Sequence, residues 1–145
     1  MKGSKVEHVH ARISKVNRQY NIKNVVIHVG GNNIPMDNPE NLNIKLVQLL
    51  NHTRRLMPHS KIYFSAIIPR LGNKYLPGIN NINRNMRLFC AENGFQMIPH
   101  YQFYSDANNI NFNLLNKDAI HPTKKGSSTI AKNIIAIYRN YKRYK

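Results

Sequence analysis

Asp118 stands three residues ahead of His121 in the stretch Asp118-Ala-Ile-His121-Pro122, and it is one of only six carboxylates in the chain. An acid at that spacing accepts the Nδ1 proton of the imidazole, fixes its tautomer and leaves Nε2 facing outward as a general base. Pro122 disfavours helical backbone at His121, so the apolar-periodic segment that follows starts its helix just beyond the pair. The same residues also fit a plainer description, an acid that opens a loop and an ordinary surface histidine.

A second stretch, Asn24-Val-Val-Ile-His-Val-Gly30-Gly31-Asn32-Asn33, reads as a buried strand ending in two glycines and two side-chain amides. The glycines allow a sharp turn at the carboxyl end of the strand, where open α/β sheets place their ligands. Gly-Gly-Asn-Asn is equally the composition of a simple turn. Taken together, the two stretches resemble the SGNH (GDSL-type) hydrolases, a family of esterases, lipases and acetylhydrolases. The third block of that family has the form Gly-x-Asn-Asp after an apolar strand, here Gly30-Gly31-Asn32-Asn33. Its fifth has the form Asp-x-x-His-Pro before a helix with an early glycine, here Asp118, His121, Pro122 and Gly126.

The resemblance implies a division of labour. His121 is the base, Asp118 its orienting acid, and Asn32 donates to an oxyanion together with a glycine of the second block, whose place only Gly3 fills. It implies an acyl or acetyl ester substrate, no metal and no cofactor. It also implies a flavodoxin-like three-layer α/β sandwich with five parallel strands in the order 2-1-3-4-5. Two departures qualify the match. Asn33 replaces the aspartate of the third block, and the Gly-Asp-Ser turn that carries the nucleophile occurs nowhere in the sequence. The chain therefore reads as one domain, residues 1–145, that begins at the second block without its first strand, a truncated or degenerate esterase with little turnover of its own.

Composition sets further bounds. The chain has 22 Lys and Arg against 6 Asp and Glu, a net charge of +16, which invites binding to nucleic acid by counterion release. The 22 asparagines, with many Ile, Lys and Tyr, point equally to A/T-rich coding as the origin of that charge. The closing Tyr138-Arg-Asn-Tyr141-Lys-Arg-Tyr144-Lys145 interleaves aromatics with cations, as a strand-tracking surface does, and as a helix end complementing its dipole also does. The one cysteine, Cys90, excludes an internal disulfide. No run reaches the roughly 18 apolar residues of a membrane span. With no signal-peptide pattern at the start, the expectation is an intracellular protein.

The elements that must hold these residues follow from periodicity. Ser4–Tyr20 reads as a helix with a Ser4–Glu7 capping box, and Val25–Val29 as a strand. Pro39–Met57 is a helix, Lys61–Ile68 a strand, Pro69–Gly78 a loop whose Arg70 reads as an exposed arginine by default and otherwise as a contact for an anionic group, and Ile79–Asn93 a helix stopped by Gly94. Phe95–Ile98 is a short strand, Tyr101–Lys117 an irregular Asn-rich loop, and the last helix carries Ile130, Ile134, Ile137 and Tyr138. His28 reads as a satisfied core histidine, with a place facing the site as its alternative, and Ser65 as a packing residue. The order implies parallel strands joined by crossovers. A second class of function stays open: SGNH domains also resemble parts of the first-frame proteins of some retrotransposons, so a basic nucleic-acid-binding module of mobile-element origin is the alternative. An apolar strand at Val25–Val29 without an outer neighbour is further expected to promote self-association.

Overall fold

The computed structural model describes residues 4–16, 21–70, 72–106, 109–116, 118 and 120–143. Three parallel strands, β1 (Asn24–Ile27), β2 (Lys61–Ser65) and β3 (Gln96–Ile98), form a sheet in the order β1-β2-β3. The register aligns Ile27 with Phe64, and Ser65 with Ile98. The helices are α1 (Val6–Ile13), α2 (Pro39–Leu56), α3 (Leu76–Asn93) and α4 (Lys124–Arg143). Side chains alternate across a strand, so Ile62 and Phe64 enter one core with residues of α1, α2 and α3. Tyr63 and Ser65 face the opposite way, and Ser65 is linked through His100 to Asn133 on α4. The architecture is a parallel α/β sandwich in three layers.

Local chemistry explains the boundaries. Asn38 caps α2 by accepting the Asn41 N–H at 2.8 Å, and Pro39 occupies the first turn, where its missing N–H costs nothing. Leu42, Leu46, Leu49 and Leu50 are all fully buried on its inner face, each contributing about 1.5–3 kcal/mol of transfer free energy. Gly94, with φ +75°, closes α3 in the left-handed conformation that a side chain disfavours. The Arg54 guanidinium then lies 4.1 Å from the centre of the Phe95 ring and donates to the Gly94 carbonyl, tying that end to α2.

Several boundaries differ from the sequence reading. The first helix starts at Val6 and ends at Ile13, and Tyr20 lies outside the described residues. The Ser4–Glu7 capping box does not form. Val6 N–H is instead taken by Asn33 Oδ1 at 2.9 Å, because the turn after β1 packs under this helix end. β1 ends at Ile27 and β2 at Ser65, both short of the sequence reading. α3 begins at Leu76 rather than Ile79, and Gly72–Tyr75 forms a 3-10 turn before it. Within Tyr101–Lys117 lies a small antiparallel pair, β4 (Tyr104–Asp106) and β5 (Asn109–Ile110). A separate apolar cluster of Leu76, Phe103, Ile110, Leu114 and Leu115 supports it.

Candidate active site

The loop carrying the acid–histidine pair is braced on both sides. Asn116 N–H donates to the His121 carbonyl at 2.8 Å, and Thr123 N–H donates to the Leu114 carbonyl at 2.9 Å. Thr123 Oγ1 then accepts the Gly126 N–H at 3.0 Å and starts α4. Gly126 is there for space. A Cβ on it would stand 2.2 Å from the Leu114 carbonyl oxygen, closer than any side-chain atom can approach.

On this loop the Asp118 carboxylate does three things at once. Its Oδ2 lies 2.7 Å from His121 Nδ1, and its Oδ1 accepts the Ile120 and His121 N–H groups at 2.9 and 3.1 Å. The bond to His121, then those two N–H groups, hold the carboxyl down at about 2. An ionised carboxylate on Nδ1 places the ring proton there and leaves Nε2 with its lone pair free. His121 Nε2 has no hydrogen-bond partner among the described residues, and the side chain is 73% exposed.

Asn32 sits in the 3-10 turn Gly31–Asn33 at the carboxyl end of β1. Gly30 enters that turn at φ +119°, and a Cβ there would stand 2.9 Å from Ile67 Cδ1, so both backbone and packing call for glycine. Asn32 Nδ2 donates to the Ser4 carbonyl at 3.2 Å, which lays the chain just after Gly3 against this amide. Gly3 itself lies outside the described residues. One amide proton of Asn32 is thus spent on Ser4, and the second remains for another acceptor.

Arg70 is the residue that the sequence reading undervalued. It is half-buried rather than exposed. Its Nη1 donates to Asn32 Oδ1 at 2.8 Å, and its buried Nε has no partner among the described residues. Burial lowers its pKa, and the charge of Asp118 acts the other way. Arg70 therefore fixes the Asn32 amide and feels the charge of the Asp118 carboxylate. Its place in an irregular loop gave no periodic signal, and only the Ile-Pro-Arg break after β2 marks it.

Asn33, where the family pattern has aspartate, has a role of its own. It is 1% exposed, caps Val6 N–H, and donates through Nδ2 to Glu7 Oε1 at 3.0 Å and Asp37 Oδ2 at 2.8 Å. Lys45 bridges the same two carboxylates at 2.8 and 2.9 Å. An aspartate at position 33 would set a third negative charge against these two, whereas the amide donates to both.

Ser65, read as a packing residue, is fully buried and held between two imidazoles. His28 Nδ1 and His100 Nε2 each lie 2.7 Å from its Oγ. His28, read as a core histidine, is instead exposed, with its Nδ1 turned in to Ser65. Among the described residues no group of three His, Cys, Asp or Glu side chains could hold a metal ion, and no helix is long and apolar enough to cross a membrane.

The sheet order, the glycine turn after β1 and the acid–histidine loop before α4 define an α/β fold of the hydrolase kind. The family comparison names it: residues 2–128 match the GDSL-like lipase/acylhydrolase family, to which this chain belongs. Solved structures agree on the fold. A GDSL-like lipase from Bacteroides thetaiotaomicron superposes with a TM-score of 0.78 at 16% identity, over 96% of this chain and 73% of that one. A lipolytic G-D-S-L family member from Veillonella parvula gives 0.75 at 12% identity, over 94% and 76%. The OSK domain of Drosophila Oskar gives 0.71 at 14% identity, over 90% and 68%. No curated protein matches the sequence.

Proposed function

We propose that this domain carries the base and oxyanion side of an ester-hydrolase site, directed at an acyl or acetyl ester. The observation that carries the reading is the His121 Nδ1–Asp118 Oδ2 contact of 2.7 Å, with Nε2 left open. His121 accepts a proton from an attacking hydroxyl at Nε2, and Asp118 stabilises the imidazolium that results. Asn32, with its amide orientation fixed by Arg70, offers a proton to the developing oxyanion, and Gly3 is the proposed second donor.

The sequence holds no Gly-Asp-Ser turn to supply the attacking hydroxyl. Ser65 is buried, with its hydroxyl bonded to two imidazoles, and the Ser14 hydroxyl is bonded to the His10 carbonyl and His52. Loss of one triad member leaves only the modest catalysis that the remaining groups supply, with no acyl-enzyme. The chain on its own is thus a degenerate hydrolase. Purified protein should hydrolyse p-nitrophenyl acetate weakly at most, without a burst and without a serine trapped by a fluorophosphonate. Nitrogen-15 NMR of His121 should show the Nδ1–H tautomer, with its preference weakened in Asp118→Asn. A burst with a labelled serine would refute the degenerate reading. An Nε2–H tautomer in the wild-type protein would refute the base assignment.

A further inference from the structure

We infer that the groove between α3 and the segment following β3 binds single-stranded nucleic acid, with Arg84 and Arg87 on phosphates and Tyr101 stacked on a base. The groove has a volume of about 820 Å³, within the range of sites that enclose a nucleotide-sized ligand rather than a lone ion. Its floor is apolar, made by Ile67 and Met97, and its walls carry Arg84, Arg87, Tyr101 and Tyr104. No carboxylate lines it among the described residues.

Arg84 and Arg87 are one turn apart on α3, so they stand on the same side of that helix. Both are exposed, and neither has a hydrogen-bond, ion-pair or ring partner among the described residues. Arginine is the side chain best shaped to hold a phosphate with paired N–H groups. Across the groove Tyr101 is 69% exposed, an unusual position for a large ring with no described neighbour on its face. The Tyr104 hydroxyl, also on the wall, is buried. Cations beside an open aromatic platform are the means by which a protein holds a strand without reading its sequence.

The floor is rigid enough to act as a site. Asn83 uses both ends of its amide on the backbone of Ile67, accepting from its N–H at 3.0 Å and donating to its carbonyl at 2.9 Å. This joins α3 to the chain just beyond β2, at the floor of the groove. The net charge of +16 supplies long-range attraction for a polyanion, and the groove supplies a place where that attraction becomes a defined contact. The esterase reading plays no part in this inference.

The test is fluorescence anisotropy of a labelled 12-residue oligouridylate titrated with the full chain across a salt series. Wild-type binding should weaken steeply with salt. Arg84→Ala/Arg87→Ala should weaken it at least tenfold and lower the slope of log K against log salt by about 1.4, at about 0.7 per phosphate contact on a single strand. Tyr101→Ala should weaken binding about fivefold or more and leave the slope unchanged. Lys15→Ala/Arg55→Ala, a pair of exposed cations elsewhere, removes the same charge and should change affinity less than threefold. All substituted side chains are exposed, and unchanged thermal unfolding confirms that the variants fold. Equal losses in the two double variants would overturn the groove in favour of diffuse attraction. So would wild-type protein that binds no oligonucleotide at low salt, or an oligoglutamate that competes equally while Tyr101→Ala binds normally.

Discussion

Ser65 has one proton to give, and two imidazoles flank it. The amide of Asn133 settles which receives it. Asn133 and Gln102 exchange hydrogen bonds at 2.9 and 3.0 Å, an orientation that turns Asn133 Nδ2 toward His100 Nδ1 at 2.9 Å. An amide nitrogen only donates, so His100 carries its proton on Nε2 and gives it to Ser65 Oγ, which in turn donates to His28 Nδ1. The chain of bonds requires both histidines to be neutral. Burial, then the nearby His28, pushes His100 down to about 4, and burial also lowers His28. The sign follows directly. The folded protein resists protonation of a group that the unfolded chain protonates near 6.5, so stability is fully present above that value and falls as the pH drops toward 4. At 1.36 kcal/mol per unit, His100 alone accounts for at most about 3 kcal/mol. Urea unfolding should show a falling midpoint between pH 7 and 4.5, and His100→Gln should be less stable at pH 7 yet show a flatter profile. A wild-type midpoint constant over that range would remove the relay. None of this was legible beforehand, because residues 28, 65 and 100 come from three separate strand ends that only the parallel register brings together. The Asp118–His121 pair was legible for the opposite reason: a three-residue spacing is local chemistry.

At the scale of elements, α4 and the loop before it form one unit hinged on Gly126. In an ordinary exposed helix interior, Gly→Ala gains up to about 1 kcal/mol. Here the added Cβ meets the Leu114 carbonyl at 2.2 Å and Pro122 Cβ at 2.9 Å, so the helix start must move off the loop. Gly126→Ala should therefore destabilise by about 1–3 kcal/mol, the usual cost of overpacking, and disturb the loop that places His121. Thermal unfolding checks the first, and the His121 NMR signals check the second. A stabilised variant with unchanged His121 signals would show that the contact yields freely. The sequence carried the long elements well, because α2 and α3 repeat leucine and isoleucine at helical spacing and β2 is an apolar run. It hid the short ones. The β4–β5 pair has almost no apolar alternation, and its buried Ile110 joins a cluster whose other members are spread from Leu76 to Leu115. The first helix was overread because Val16 continues the apolar stripe although it is 36% exposed and past the helix end.

The whole molecule sets two forces against each other at β1. Among the described residues this strand pairs only with β2, and no described strand pairs with its other edge. The sheet face beside it is thinly covered. Val26 is 40% exposed, and Ile135 on α4 is 46% exposed. An apolar open edge is a template for a strand from another copy. Opposing this is the net charge of +16, which makes like molecules repel. The repulsion is screened over about 8 Å at physiological ionic strength and over about 3 Å in 1 M salt, whereas strand pairing and apolar contact are not weakened by screening. Salt should therefore drive self-association, the reverse of its effect on a polyanionic ligand. Sedimentation velocity should show a monomer in low salt and a larger species that grows with protein concentration and with salt. Val26→Lys, which places a charge beside the open edge without touching the core, should return the high-salt sample to the monomer. A wild-type protein that stays monomeric at high concentration in both salts would show that the edge is closed in solution, and the exposed Val26 would then carry no consequence for assembly.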